Sequence, residues 1–161
     1  MYTIEINDEE VTAALTRAVR AMGNLREFMQ DAGELLQSST QDRIERGEQP
    51  DGQPFAPRSQ TTLDRYARIG KPFGAPLNYS GAMRLGIHFE AGEDYLELGS
   101  NALQAAVMQF GAKQDQFGQT ARGGPIPWGD IPARPFLGLS EQDKTDLLAE
   151  LGDWLEQALR D

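Results

Sequence analysis

Apolar and polar residues alternate at the start of the chain, where Tyr2, Ile4 and Ile6 are separated by polar positions. This period of two predicts a short strand with one apolar face over residues 2–6. Asn7 follows the strand and suits the start of a helix, because its side chain can accept a hydrogen bond from the first helical turn. The chain is therefore expected to begin with a strand that leads into a helix.

A heptad-like apolar pattern then runs from Val11 to Leu36 and predicts a long helix over residues 8–46. Its positions are Val11, Leu15, Ala18, Met22, Leu25, Met29, Ala32 and Leu36. Spacings of four and three residues place these side chains along one side of a long helix. We expect a break or kink at Gly23-Asn24, and Gly47 is suited to end the helix. The apolar seam fits either a helix packed on the sheet of its own subunit or one shared with a neighbouring subunit.

The middle of the chain predicts a hairpin and two short helices. Residues 82–90 alternate apolar and polar side chains, and residues 95–99 return after a glycine-containing turn, which is typical of two antiparallel strands. The short helices are predicted over residues 61–69 and 102–110, the second capped by Asn101.

Ser140, with Asp143 three residues later, predicts the start of a C-terminal helix. The apolar face of this helix consists of Leu147, Leu148, Leu151, Trp154, Leu155, Ala158 and Leu159. The whole chain, residues 1–161, is expected to form a single domain. Its fold class is predicted as α+β, with a small antiparallel sheet packed against the long N-terminal helix and the C-terminal helix, and with long Gly- and Pro-rich loops.

Residues 112–135 form a long segment rich in Gln, Gly and Pro. Loops of this length in compact domains are usually functional or disordered. The composition buries too little apolar area by itself to offset the entropy of ordering. We therefore expect residues 112–130 to be loosely held in the free subunit and ordered in an assembly, with Ile126 and Trp128 as anchors on a neighbour.

The composition excludes several classes of function. Fifteen Lys and Arg against 25 Asp and Glu give a net charge of −10, which repels phosphate backbones and argues against binding of free nucleic acid. The chain has no cysteine, so disulfides and thiolate metal sites are ruled out. No apolar run reaches the ~20 residues of a membrane span, and the first residues do not resemble a signal peptide. A cytoplasm-like compartment and no membrane partner are expected.

Residues that could carry catalysis are few. His88 is the only histidine, and it falls on the polar face of the predicted strand. Without cysteine, a transition-metal site would need mainly carboxylates, and no serine lies in a nucleophile-elbow pattern. The glycine-rich segments lack the Gly-Lys-Ser/Thr ending of a phosphate-binding loop. We therefore expect no enzyme activity, no metal and no cofactor.

Three segments, read in order, resemble motifs of one known family. The first is Pro-Asp-Gly-Gln-Pro-Phe-Ala-Pro at residues 50–57. The second is Leu-Asn-Tyr-Ser-Gly-Ala-Met at residues 77–83, followed by Gln-Phe-Gly at residues 109–111. The third is Ile-Pro-Ala-Arg-Pro-Phe-Leu-Gly-Leu-Ser at residues 131–140, followed by Asp143. Together they resemble the phage virion morphogenesis family, and the third segment is the most distinctive match.

The resemblance covers nearly the whole chain, with Phe55, Met83 and Met108 as departures that keep an apolar or packing role. It implies a structural protein of tail completion and head-tail joining in Mu-like contractile-tailed phages. It also implies a homo-oligomeric ring of six-fold symmetry at the neck or upper tail of the virion, assembled in the bacterial host cytoplasm. The implied partners are the head-tail connector and the tail-tube or tail-terminator proteins, while genome DNA passes through without specific binding.

The third segment also suggests an interface on physical grounds. Pro132 and Pro135 force an extended backbone, which would present Arg134 to a carboxylate of a partner. The alternative is a connector that simply packs before the last helix. The expected protein-interface residues are Arg134, Phe136, Leu137, Ile126, Trp128 and Phe55.

The acidic C-terminal segment indicates a second surface. Residues 140–161 hold seven acids and two bases, whereas residues 32–80 hold six of each. An acidic wall would let a genome pass through a ring without holding it, because phosphates bind strongly only where Lys and Arg neutralise them. The possible pore-lining residues are Glu141, Asp143, Asp146, Glu150 and Glu156. The alternative is that these acids solvate the outer rim. The basic residues expected to face protein partners are Arg58, Arg65, Arg68 and Arg134.

Three other functions stay open on the sequence. The net charge of −10 also fits an acidic inhibitor that mimics DNA, although residues 32–80 carry balanced charge. A transient assembly chaperone that leaves before the virion matures fits the same composition. A phage enzyme is the third alternative, and the missing catalytic constellation makes it the weakest.

Overall fold

The computed structural model describes residues 13, 16, 17, 19, 22–70 and 73–160. The described helices and strands, in chain order, are α1 (Arg26–Arg46), α2 (Gln60–Ile69), α3 (Ala82–Leu85), β1 (Ile87–Ala91), β2 (Leu96–Ser100), α4 (Ala105–Phe110) and α5 (Glu141–Arg160). The two strands form an antiparallel sheet, and the α+β class predicted from the sequence is confirmed. The strand predicted over residues 2–6 lies outside the described residues.

The long N-terminal helix is interrupted where glycine and asparagine were expected to break it. The chain is non-helical at residues 23–25, and α1 begins at Arg26, whose N–H donates to Asn24 Oδ1 at 3.0 Å. α1 ends at Gly47, which adopts a left-handed conformation and donates its N–H to the Arg43 carbonyl. Both boundaries follow from local backbone preferences of these residues.

The sheet is a hairpin with one apolar face. Phe89 pairs with Leu98 and Ala91 with Leu96, so the apolar side chains of both strands point the same way. This face rests on α1, and the polar positions of the strands, His88 among them, are exposed.

The strand predicted over residues 82–90 is wrong in its first half, which forms helix α3. The alternation of Met83 and Leu85 suggested a common face, but Met83 is buried in the core whereas Leu85 is exposed. The Gly86 N–H donates to the Ala82 carbonyl and closes the helical turn. Over so few residues a helical turn and a strand can carry the same pattern, so the sequence did not separate them.

Helix α4 begins later than predicted. Gln104, and not Asn101, precedes its first turn, and no side chain caps it. The chain leaves β2 in a turn before it becomes helical. In this turn the Ala102 N–H donates to the Ser100 hydroxyl at 3.3 Å. The cap predicted at Asn101 is therefore wrong.

Helix α1 lies between the hairpin and α5 and is the central element of the core. Ala32 and Leu36 of the predicted seam are buried, and Phe28 meets Trp154 of α5 with their ring centroids 6.3 Å apart. This part of the seam therefore packs inside its own subunit. The main buried cluster consists of Ile44, Phe55, Met83, Ile87 and Phe136.

Gly33 allows α1 to approach the sheet closely, since a Cβ at this position would overlap the Phe89 ring on β1. We expect Gly33→Ala to lower the free energy of unfolding by about 1–3 kcal/mol, because the ring or the helix must move. Urea denaturation followed by circular dichroism measures the change. Gly152→Ala on α5 is the matched control, because a Cβ there meets nothing within 4 Å and alanine favours the helix. Equal stability of the Gly33→Ala variant and the wild type would contradict the close approach.

Candidate assembly interface

Arg134 joins the third sequence motif to the first. Its guanidinium donates from Nε to the Ala56 carbonyl and from Nη2 to the Pro57 carbonyl, both at 2.7 Å. The side chain is buried, and burial, with a smaller contribution from the charge of Arg58, lowers the pKa of Arg134 from its usual value. Arg134 therefore fastens two segments of its own chain.

Gln109 joins the second motif to the third. Its side-chain oxygen accepts from the N–H groups of Phe136 at 2.9 Å and Leu137 at 3.0 Å, and its nitrogen donates to the Leu137 carbonyl at 3.1 Å. Nearby, Ala112 and Ile131 exchange two backbone hydrogen bonds of 2.9 and 2.7 Å. One amide side chain thus supplies the hydrogen bonds that the extended, proline-containing segment cannot obtain from a sheet.

A buried ion pair ties α5 to α1. Arg43 Nη1 lies 2.7 Å from Asp143 Oδ2, and the whole of Asp143 is only 1 % exposed. The Ser39 hydroxyl donates to the other oxygen of Asp143. Arg43 Nη2 donates to the Gly138 carbonyl at 2.9 Å, so the same guanidinium also holds the third motif.

Asp143 also completes the capping box predicted at the start of α5. Its Oδ2 accepts from the Ser140 N–H at 2.8 Å, and the Ser140 hydroxyl accepts from the Asp143 N–H at 3.0 Å. Burial alone would raise the pKa of Asp143, but the hydrogen bonds from Ser39 and Ser140 and the charge of Arg43 outweigh it and lower that pKa. The carboxylate is ionised at neutral pH and fully engaged inside the subunit.

These contacts correct four predicted site residues. Arg134, Phe136 and Phe55 are buried in their own subunit, where they hold the motifs together instead of presenting their side chains at the surface. Asp143 is buried between α5 and α1 and is not available to line a pore. Leu137 is half-buried against the core. The third motif therefore matches the alternative of a connector packed before the last helix.

We expect Arg134→Ala to lower the free energy of unfolding by about 2–4 kcal/mol, because two partly buried carbonyls lose their charged donor and a buried side chain is truncated. Arg134→Lys keeps the charge but lacks the planar fork, so it should retain only part of the stability. Thermal unfolding of the purified variants checks this order. An unchanged melting temperature for Arg134→Ala would show that the two hydrogen bonds contribute nothing.

Residues 112–131, called the arm from here on, form a long loop whose two halves run antiparallel to each other. Backbone hydrogen bonds cross it from the Phe117 N–H to the Ile126 carbonyl and from the Ile126 N–H to the Gly118 carbonyl, both at 2.8 Å. At its base Lys113 Nζ lies 2.9 Å from Asp130, and this hydrogen bond raises the pKa of Lys113 and lowers that of Asp130. Ordering of the arm on assembly stays a prediction.

The arm carries large apolar side chains on its surface. Trp128 is 80 % exposed and Phe117 is 53 % exposed, and Ile126 is also accessible. Phe110, two residues before the arm, is 79 % exposed. Aromatic side chains of this kind are the usual anchors of protein interfaces. Two of the six predicted interface residues, Ile126 and Trp128, are therefore available to a partner, whereas Phe110 and Phe117 were not predicted.

The other acids named as possible pore residues remain accessible on α5. Glu141 and Glu156 are the most exposed, with side chains 90 % and 68 % accessible, and each forms an ion pair with a basic residue of the same helix. Asp146 and Glu150 are half-buried at the side of the helix. All four lie on one continuous helix that flanks α1.

An aromatic cleft that the sequence did not indicate lies beside α2. Tyr66 stacks on Tyr79 with centroids 4.7 Å apart and meets Phe73 at 5.0 Å. The Arg58 guanidinium lies 5.6 Å from the Tyr66 ring and 5.2 Å from the Phe73 ring. The cleft has a volume of about 450 Å³ and reaches Met108 on α4. Its residues come from separate loops and helices, so no local pattern marks it.

The described residues contain no group of His, Asp and Glu side chains placed to hold a metal ion. His88 is exposed on β1, where its Nδ1 lies 3.1 Å from the Gly86 carbonyl. Among the described helices, none has the length and apolar character needed to cross a membrane.

Comparison with known proteins bears directly on the motif resemblance. The family model described as phage virion morphogenesis matches residues 6–156. The chain belongs to the phage virion morphogenesis family. This virion morphogenesis protein is 28 % identical to the Mu-like prophage FluMu G protein 2 of Haemophilus influenzae over 161 residues, which are 99 % of this chain and 100 % of that protein.

A second relative of this virion morphogenesis protein is the putative capsid assembly protein G of Escherichia phage Mu. The two are 30 % identical over 126 residues, which cover 78 % of this chain and 76 % of that protein. No solved structure gives a significant match. The family predicted from the three motifs is confirmed.

Proposed function

We propose that this virion morphogenesis protein is a structural, non-catalytic subunit of a homo-oligomeric ring that completes the phage tail and joins it to the head. The observation that carries the proposal is that the three motifs are held inside the subunit by their own contacts, whereas the arm next to them is exposed. Arg134, Gln109 and Asp143 fix the motifs inside the subunit, while the adjacent arm leaves Trp128 and Phe117 uncovered. A rigid body with a projecting apolar segment suits a subunit that must dock on neighbours.

The names of the relatives support an assembly role, since the phage Mu protein is described as a putative capsid assembly protein. We infer that the ring has six-fold symmetry and lies in the neck or upper tail. Its partners there would be the head-tail connector and the tail-tube or tail-terminator proteins, which the arm would contact.

Genome DNA would pass through such a ring without specific binding. Glu141 and Glu156 are the first candidates for the channel wall, because they are the most exposed acids among those named on α5. An acidic wall does not retain phosphates.

Electron microscopy of the purified protein and mass spectrometry of purified virions test the proposal. We expect rings in solution, the protein in mature particles, and immunogold label at the head-tail junction. A monomer that binds a nuclease would indicate a DNA mimic, and absence from mature particles would indicate a transient chaperone. Either result overturns the structural role.

A further inference from the structure

Helix α2 presents a basic face in an acidic protein. Arg65 and Arg68 are exposed and lie three residues apart, so they are neighbours on one side of the helix. In the described part of the chain, neither of them forms an ion pair. Their charge is therefore available to an acidic surface outside the subunit.

The same helix is left uncovered by its own subunit. The structure describes all of α2, and none of its residues is buried, although Leu63, Tyr66 and Ile69 give it an apolar side. Ile69 is exposed next to the basic pair. Tyr79, which lines the aromatic cleft, and Phe73, which packs on Tyr66, are exposed as well. Apolar and basic groups thus occur together on one open surface.

Helix α5 offers a complementary surface. Asp146, Glu150 and Asp153 recur at intervals of four and three residues and so share one face of the helix. Among the described residues these three acids form no ion pair.

We propose that α2 of one subunit docks on α5 of a second copy of this chain, with the basic face against the acidic face. The proposal rests on the homo-oligomeric ring proposed above and names the surfaces that build it. Charge complementarity selects the occupant, because two arginines one turn apart on α2 match acids one turn apart on α5. Ile69 supplies an apolar contact beside the basic pair.

The contact joins two different surfaces of the subunit. Repeating it head-to-tail builds a ring when the rotation closes, whereas reciprocal pairing of both surfaces between two copies would give a two-fold dimer. The ring proposed above corresponds to the head-to-tail arrangement. Glu141 and Glu156, which pair with Lys144 and Arg160 of the same helix, are not among the docking residues.

Charge reversal tests the docking. Sedimentation velocity and native mass spectrometry would compare the wild type with Arg65→Glu/Arg68→Glu, with Glu150→Arg/Asp153→Arg, and with the combination of all four substitutions. We expect each double variant to weaken self-association by about tenfold or more, and the combination, in which the two signs are exchanged, to restore rings.

Arg26→Glu/Arg46→Glu is the control for Arg65→Glu/Arg68→Glu, because it makes the same change of net charge at exposed positions of α1 and should assemble like the wild type. Circular dichroism verifies that every variant is folded. The α2–α5 docking is overturned if both double variants still form rings, or if the fourfold variant does not regain ring formation. In either case the proposed ring itself would stand. A wild-type chain that forms no ring at any concentration overturns the proposed function as well.

Discussion

Asp143→Ala is expected to lower the free energy of unfolding by about 3–5 kcal/mol, a large fraction of the stability of a domain of this size. The substitution leaves the Arg43 guanidinium charged and buried, at 3 % exposure, without its carboxylate. It also removes the acceptor of the Ser39 hydroxyl and of the Ser140 N–H at the start of α5. Urea denaturation followed by circular dichroism measures the loss.

Glu48→Ala is the matched control for a surface ion pair. Glu48 lies 3.0 Å from Arg46, and both side chains are exposed to solvent, so its loss should cost below about 1 kcal/mol. Arg43→Met combined with Asp143→Leu should recover part of the loss, because the combination leaves no buried charge. Equal effects of Asp143→Ala and Glu48→Ala would refute a special role for the buried pair.

Because the pKa of Asp143 is lowered, the free energy of unfolding is also expected to depend on pH. Since the folded pKa lies below the unfolded value of 3.8, the contribution of the carboxylate is complete above that value. It is lost as the pH falls through the folded pKa, where the native carboxylate takes up a proton. We expect the stability of the wild type to fall more steeply below about pH 4 than that of Asp143→Asn. Parallel curves for the two proteins would contradict this.

The sequence predicted those parts of the fold that depend on neighbouring residues. The break at residues 23–25, the left-handed end of α1 at Gly47 and the Ser140–Asp143 box involve contacts over a few positions, and the structure has all of them. Residues 82–85 show the limit, because the burial of Met83 against the core decides between helix and strand there. Tertiary packing of this kind is not encoded in a short periodic pattern.

The site was harder to predict because its contacts join distant parts of the chain. The Arg134 guanidinium reaches a carbonyl 78 residues away, and Arg43 reaches Asp143 across 100 residues. The motif resemblance identified Arg134 and Asp143 as important, but it did not show that both serve the interior. The exposure of a side chain also depends on the whole fold and not on its neighbours in the sequence. Trp128 was predicted as an interface residue because it lies in a long loop, but Phe117 of the same loop was not.

Replacing both Trp128 and Phe117 with serine is expected to leave a folded subunit and to prevent heads from joining tails. Both side chains are exposed and neither belongs to the buried cluster, so their removal should not affect unfolding. Truncation of an aromatic anchor costs about 2 kcal/mol or more at an interface, which is roughly a 30-fold loss of affinity. Because the contact repeats in every subunit of a ring, the losses multiply.

Complementation of a phage that lacks the gene measures this effect through the titre of infectious particles and electron-microscopic counts of unjoined heads and tails. Leu85→Ser is the matched control, because it removes a similarly exposed apolar side chain from α3, outside the arm. Circular dichroism of the purified variants separates an interface defect from misfolding. We expect the arm variant alone to accumulate separate heads and tails. Normal joining with a folded arm variant would mean that the aromatic side chains of the arm do not contact the partners, and a defect shared with Leu85→Ser would assign the effect to surface hydrophobicity in general.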